Sequence, residues 1–211
     1  MDFGPAHSFG NAVFKDVSEL KPAHFLVFGK DGLSIKKYWE LESKVHVDDF
    51  DTTCYNVKSL LFESIERQMP KDYSFCSFLS GGLDSSIITA VCNEYMGIHN
   101  TPLRAFCVDY VDNDKNFVKS DFQPNKDDYY INIMSKSLGL NHTKIIIDTP
   151  ELVDALEDAV VARDMPAMAD IDSSLLLFCK NVKKDINIAL SGECADEIFR
   201  SGILGCLKMI V

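Results

Sequence analysis

The sequence predicts an α/β fold: a parallel sheet flanked by helices, preceded by a short β segment. Three observations predict it. From Thr52 onward, short apolar runs alternate with stretches whose apolar residues recur at helical spacing. The connections between those runs are long crossovers, which parallel strands require. Two of the apolar runs end in Ser-Gly followed directly by a helical pattern, at Ser80-Gly81-Gly82 and at Ser191-Gly192. In a parallel sheet, such turns meet at the carboxyl ends of the strands.

The elements follow in order. Ala12 to Phe14, His24 to Gly29 and Leu33 to Trp39 read as short strands, and Lys30-Asp31-Gly32 as the hairpin turn between the last two. Asp-Gly tolerates the positive φ that such turns need. Glu40 to Asp51 is acidic and mostly polar and reads as a linker. A few strands alone rarely hold together, so this first segment is expected to pack on something. Thr52 to Gln68 is a helix, with Val57, Leu60, Leu61 and Ile65 on one face, Thr52 or Thr53 as cap and Pro70 beyond its end. A strand from Tyr73 to Leu79 and a helix from about Asp84 to Met96 follow. Leu103 to Val108 is a second strand, and Asp109 to Lys126 a polar loop. The helix Asp127 to Leu138 ends at Gly139, and Thr143 to Ile147 is a third strand. Pro150 suits a first helical turn, and Glu151 to Ala162 continues as helix. A helix from Ser173 to Lys183 and a strand from Ile186 to Leu190 complete the alternation.

Bulk composition narrows the function. The chain has 211 residues and a net charge of −11. That charge argues against general nucleic-acid binding, which rests on Lys and Arg neutralising phosphates. No apolar run approaches the length of a membrane span, and the N-terminus lacks a basic-then-apolar leader pattern, so neither membrane nor export is expected. The seven cysteines are scattered, with no Cys-x-x-Cys pair. They fit a reducing cytoplasm rather than a disulfide framework or zinc site. Composition says nothing of oligomeric state.

The stretch Ser80-Gly81-Gly82-Leu83-Asp84-Ser85-Ser86 has the make-up of an anion site. A helix's first N–H groups lack internal partners and carry partial positive charge. The glycines allow close backbone approach to a phosphate, and the three serines add hydroxyl donors. Asp84 would repel a phosphate unless a cation lay between them, which suggests a magnesium ligand. The spacing is neither that of a P-loop, which also carries a lysine, nor that of a dinucleotide fold. The same residues would equally serve an ordinary turn with Asp84 or Ser85 as helix cap.

The second stretch is Ser191-Gly192-Glu193-Cys194-Ala195-Asp196-Glu197-Ile198-Phe199. Glu193, Asp196 and Glu197 could be magnesium-site carboxylates. They could equally be favourable charges in a helix first turn, with Ser191 a cap.

SGGLDSS resembles the pyrophosphate loop of the N-type ATP pyrophosphatases, the PP-loop family. Together with SGExADEIF it resembles the synthetase domain of glutamine-dependent asparagine synthetases, over roughly residues 10–199. Phe14-Lys15, Leu20 to His24 and Tyr38-Trp39 are similar to the end of that family's glutaminase domain and the bridge from it. The resemblance implies an adenine nucleotide alpha hydrolase-like sheet. It divides the chain into a glutaminase remnant with linker (1–50), a partial synthetase domain (51–199) and a tail outside the family (200–211).

It implies ATP as substrate, with Mg2+. Ser80, Gly81, Gly82, Asp84, Ser85 and Ser86 would hold the pyrophosphate and its magnesium. Leu79 and Val108 would line the adenine pocket, and Ser191 and Gly192 would contact the nucleotide. Asp196 would join Asp84 as a metal-associated carboxylate. Glu193 would position the reacting aspartate or handle its protons. Aspartate and ammonia would be the small-molecule substrates, through β-aspartyl-AMP, with AMP and pyrophosphate released. Asp172 and Ser173 fall where the family places substrate-lining residues, though capping of the helix before Leu175 explains them equally.

Three departures qualify the resemblance. Asp2 stands where the family has its nucleophilic cysteine, so glutamine hydrolysis by that route is not expected. Cys194 replaces a residue that is usually glycine, at a cost of about 1 kcal/mol if φ is positive there. After Phe199 the sequence departs from the family's Gly-Gly-Tyr stretch and lysine-bearing helical region. A family fragment, from a disrupted reading frame, is therefore expected. A nucleotide-binding module without catalysis and a β-lactam synthetase-like ligase remain the alternatives.

Overall fold

The computed structural model describes residues 10, 12, 14–71, 74–98, 100–119, 125–165, 168–195 and 198. Val13, Tyr73, Asp196, Glu197, Phe199 and the tail 200–211 lie outside the described residues.

Two strands, β1 (His24–Gly29) and β2 (Gly32–Lys37), form an antiparallel hairpin. Its turn is closed by Gly32 at φ +95°, as the Asp31-Gly32 pair predicts. Ala12 and Phe14 lie in no strand. Among the described residues, every strand residue of this hairpin except the half-buried His24 is exposed.

Helix α1 (Phe50–Gln68) starts earlier than its threonines suggest. Asp49 is the cap, its carboxylate accepting from the Thr52 N–H at 2.8 Å. The sheet is four-stranded and parallel, in the order β5-β4-β3-β6, with β3 at Cys76–Phe78, β4 at Arg104–Tyr110, β5 at Asn141–Ile147 and β6 at Ala189–Leu190. Strand β3 is shorter than its apolar run. Strand β4 runs on through Asp109 and Tyr110, because pairing with β5 continues to Tyr110↔Ile147. Strand β6 is only two residues long: Ile186, expected to start it, is still hydrogen-bonded to Val182 O in the turn that ends α7.

The helices lie between the strands as crossovers: α2 (Leu83–Ile98), the single turn α3 (Asn113–Asn116), α4 (Asp127–Leu138), α5 (Thr149–Asp154), α6 (Leu156–Arg163) and α7 (Ala169–Val182). The polar loop after β4 thus contains a helical turn. The single helix expected over 151–162 is two, broken at Ala155. Its first half is fixed by a capping box in which Asp148 accepts from the Thr149 N–H and Glu151 reaches back to the Asp148 N–H. Helix α7 begins before Ser173. Helix α4 ends at Gly139 with φ +63°, as its glycine predicts.

Side chains alternate between the two faces of the sheet. Phe75 and Leu103 pack with Ile65, Met69, Val91 and Cys92 of α1 and α2. Leu79, Ala105 and Cys107 pack on Ile131 of α4. On the other face Cys76, Phe106 and Ile147 meet Phe178 and Val182 of α7. The buried Ser77 is satisfied by Thr89 of α2, which donates to it at 3.0 Å.

The chain builds β3, β4 and β5 outward in one direction and then returns to place β6 on the far side of β3. The strand order therefore reverses between β3 and β6. Open parallel sheets bind ligands in the crevice at such a point.

Candidate functional site

Strand β3 delivers the first loop. Leu79 is buried and donates its N–H to Phe106 O at 2.9 Å, so the loop leaves the sheet from a fixed point. The backbone turns at Gly81, where φ is +84°. A Cβ there would lie 2.9 Å from the Asp127 carbonyl oxygen and 3.3 Å from Ile131 Cγ1. The position therefore demands glycine twice, for conformation and for space.

The two serines close a small network. Ser80 Oγ and Ser85 Oγ are 2.9 Å apart, Ser85 Oγ donates to Gly82 O at 3.1 Å, and Gly82 N–H donates to Ser80 Oγ at 3.4 Å. Ser80 N–H donates to Ser85 Oγ at 3.2 Å. With the Ser85 proton committed to Gly82 O, the Ser80 hydroxyl is the donor to Ser85 Oγ. Helix α2 begins at once, and Ser86 N–H to Gly82 O at 3.1 Å is an early bond of that helix. The N–H groups before it have no partner inside the helix. Asp84 and Ser86 are half-buried at this end.

Strand β6 delivers the second loop. Ser191 Oγ accepts from the Glu193 N–H at 3.2 Å, and Ala195 N–H bonds back to Gly192 O at 3.3 Å. Gly192 sits directly against the first loop. A Cβ on it would lie 2.9 Å from Ser85 N, 3.0 Å from the Asp84 carbonyl carbon and 3.1 Å from Asp84 Cβ. The two Ser-Gly motifs, far apart in sequence, are thus in van der Waals contact. Cys194 follows with φ +67°, the left-handed conformation that favours glycine. Glu193 is exposed. The Cys179 thiol of α7 is pushed up by burial and by the charge of Glu193.

A cleft opens beside the first loop. Its walls include Leu79, Ser80, Phe106, Val108, Ile131 and Phe178. Leu79 and Val108, both expected to line an adenine pocket, face this one cleft. Phe78 and Phe178 pack edge to face at 4.7 Å between centroids and stiffen its base. Asp127, Ile131 and Phe178 were not foreseen from the sequence as lining residues. They arrive from α4 and α7, where helical phase marks Ile131 and Phe178 only as core and Asp127 only as a first-turn charge.

A second group of charges borders the cleft. Lys144 of β5 reaches Asp128 of α4 at 2.6 and 2.5 Å and Asp109 of β4 at 3.2 Å. Burial pushes the Asp109 carboxyl up. Hydrogen bonds from Asn113, the Tyr110 N–H and Lys144, together with the lysine charge, outweigh burial and hold it below the ordinary carboxylate value. Burial disfavours the Lys144 ammonium, yet the bonds and charges of Asp128 and Asp109 hold its pKa above the ordinary lysine value. Burial pushes the Cys107 thiol up to about 11, so it is a core group and not a nucleophile, although His142 Nε2 lies 3.2 Å away.

Asp172 and Ser173 are occupied structurally. Asp172 pairs with Arg163 at 2.8 Å, and the buried Ser173 donates to Asp170 O at 3.1 Å. Among the described residues, no group of three His, Cys, Asp or Glu side chains is placed to hold a metal. Magnesium needs no such group: it is commonly held by one or two carboxylates together with substrate phosphates. Asp84, at the start of α2 and beside Gly192, fits that role. Asp196, the other expected metal carboxylate, lies outside the described residues.

Fold and site define a class: an α/β domain with paired Ser-Gly loops at the switch point of a parallel sheet. The chain belongs to the asparagine synthase family, whose pattern matches residues 56–207. That match runs past the boundary at 199 expected from the sequence. The chain is 49% identical to the glutamine-hydrolyzing asparagine synthetase 3 of Bacillus subtilis (strain 168), over 93% of this chain and 32% of that protein. It is 27% identical to asparagine synthetase 1 of the same organism, over 87% of this chain and 27% of the relative. The chain thus spans about a third or less of the length of these curated relatives. An NAD+ synthetase structure from Burkholderia pseudomallei is similar at a TM-score of 0.38 and 10% identity, covering 72% of this chain and 66% of that one.

Proposed function

We propose that the chain carries the ATP site of an asparagine-forming ligase. At that site an aspartate β-carboxylate attacks the α-phosphorus of ATP, and ammonia then displaces AMP from the β-aspartyl-AMP. The observation that carries this reading is the contact of Gly192 with Asp84 and Ser85, which makes one site of the two loops. Family membership and the B. subtilis relatives support the choice of substrates.

Each group then has a task. The cleft walled by Leu79, Val108 and Phe178 takes the adenine. The N-terminus of α2 and the Ser86 hydroxyl take the pyrophosphate, and so stabilise the negative charge that builds on the leaving group, while Ser80 and Ser85, whose protons are engaged with each other and with Gly82 O, hold the loop in shape. Gly81 lets the first loop pack on α4, and Gly192 lets the second loop lie against the first. Asp84 and Asp196 would hold magnesium, which when bound neutralises phosphate charge. Glu193, exposed at the lip, positions the aspartate or accepts its proton.

No helix among the described residues is long and apolar enough to cross a membrane. The described cysteines, from Cys54 to Cys194, are all free, which suits a reducing cytoplasm.

The test is pyrophosphate release from ATP with Mg2+, with aspartate and ammonia added together and singly. Pyrophosphate that depends on aspartate would establish the ligase reading for this chain. No release above background, with ATP still bound, would reduce the chain to a nucleotide-binding module. Release with another carboxylate in place of aspartate would redirect the substrate assignment.

A further inference from the structure

We propose that Lys144 is a positioning residue for the nucleotide cleft: its ammonium clamps Asp128 and Asp109 together, and so holds the first turn of α4 against Gly81. The inference rests on reading that cleft as a nucleotide site.

The first turn of α4 forms one wall of the site. The Asp127 carbonyl, Tyr130 Cβ and Ile131 Cγ1 all lie within 3.4 Å of where a Gly81 Cβ would stand. A shift of this turn would therefore move the phosphate loop or open a gap beside it. The cap residue of α4, Lys126, makes no side-chain capping bond, and the Lys126 ammonium is turned instead to Asp114 at 2.6 Å. Packing of Ile131 on Leu79, Ala105 and Cys107 holds the helix one turn further on.

Lys144 ties the turn to the sheet. It reaches both carboxylate oxygens of Asp128, at 2.6 and 2.5 Å. Its other arm goes to Asp109, which is itself fixed by Asn113 at 2.7 Å and by the Tyr110 N–H at 2.9 Å. The register explains the reach. Lys144 pairs with Cys107, so it shares the α4 face of the sheet with Cys107 and, two residues on, with Asp109. The ammonium thus ties the middle of β5 and the end of β4 to the start of α4. All three side chains are a third exposed or less, so solvent screens them only in part.

The test uses the 211-residue chain as it stands, with Lys144→Met, Lys144→Arg and Asp128→Ala. Two quantities are read: amide hydrogen exchange at residues 127–131, and the dissociation constant for ATP with Mg2+. Lys144→Met and Asp128→Ala should each speed exchange at 127–131 by about tenfold while the amides of α2 and β3 keep their protection. Both should weaken ATP binding by about tenfold, and Lys144→Arg should restore both readings to within about threefold. Unchanged exchange at 127–131 in a folded Lys144→Met or Asp128→Ala chain would overturn the clamp. Faster exchange with unchanged ATP affinity would overturn the positioning role and leave only a stabilising ion pair. An unaltered chain that binds no ATP would overturn the nucleotide reading, and with it the positioning role, while the exchange arm would still decide whether the clamp exists.

Discussion

The two Ser-Gly loops are built to the same plan and finished differently. Each follows a strand of the one sheet, and each turns through a residue in the left-handed conformation. In the first loop that residue is Gly81, at φ +84°. In the second it is Cys194, at φ +67°. The first loop is closed by the Ser80, Gly82 and Ser85 hydrogen bonds and walled in by α4. The second is exposed along Ser191, Glu193 and Cys194 and touches the first mainly through Gly192. One loop is therefore a rigid cradle and the other a lip laid on it. Backbone strain is absent where phosphate would bind and present where the substrate carboxylate would be handled.

Substitutions test this contrast in order of size. Gly81→Ala should be the most damaging. It combines a positive φ with a 2.9 Å approach to the Asp127 carbonyl, and should cost about 3 kcal/mol, read as a lower midpoint in urea unfolding. Gly192→Ala has no φ penalty, but its Cβ would meet backbone at 2.9 and 3.0 Å. It should part the loops and weaken ATP binding by about tenfold at a stability cost of about 1–2 kcal/mol. Equal affinity in that variant would mean that the loops act separately.

Cys194→Gly should run the other way, stabilising the chain by about 1 kcal/mol through relief of the left-handed strain. A destabilising outcome would show that the cysteine side chain contributes packing that outweighs the strain.

The smallest effect is the pH dependence of the Lys144 clamp. Asp109 titrates below its ordinary 3.8, so its contribution is present above that value and fades as pH falls through the folded pKa. Lys144 titrates above its ordinary 10.5, so its contribution is present below that value and fades as pH rises through the folded pKa. The stability gap between the native chain and Lys144→Met should be flat from neutrality up to the lysine limit and close above it. Below the ordinary histidine value it should narrow, because burial and the Lys144 charge together hold the His142 imidazole below that value. These groups are partly exposed, so the gap should be about 1 kcal/mol or less. A gap that varies between neutrality and the lysine limit would assign the effect to other groups.

Much of this architecture was legible in the sequence. The alternation of apolar runs with helical patterns gave the parallel sheet, because buried parallel strands and amphipathic crossovers leave distinct periods. The Ser-Gly motifs located both loops. Boundaries were less legible where capping chemistry or cross-strand pairing, rather than apolarity, sets them. Asp49 moved the start of α1, the Asp148–Glu151 box fixed that of α5, and pairing with Ile146 and Ile147 carried β4 through Asp109 and Tyr110. The cost of Cys194 hinged on a torsion angle that no pattern reveals. The walls of the cleft were hidden for another reason. Phe178 and Ile131 look like any core residue until the packing shows which end of the sheet they face. The Lys144 clamp joins residues from three separate elements, and only the strand register brings them to one face. The hairpin is the opposite case: its strands and turn are legible locally, and among the described residues its strands are exposed apart from the half-buried His24.

Amide hydrogen exchange, with and without ATP and Mg2+, decides whether the two loops form one nucleotide site. Nucleotide should slow exchange at residues 80–86 and at 191–195 together, at the same ATP concentration. Protection confined to the first loop, or absent from both, would contradict a single site.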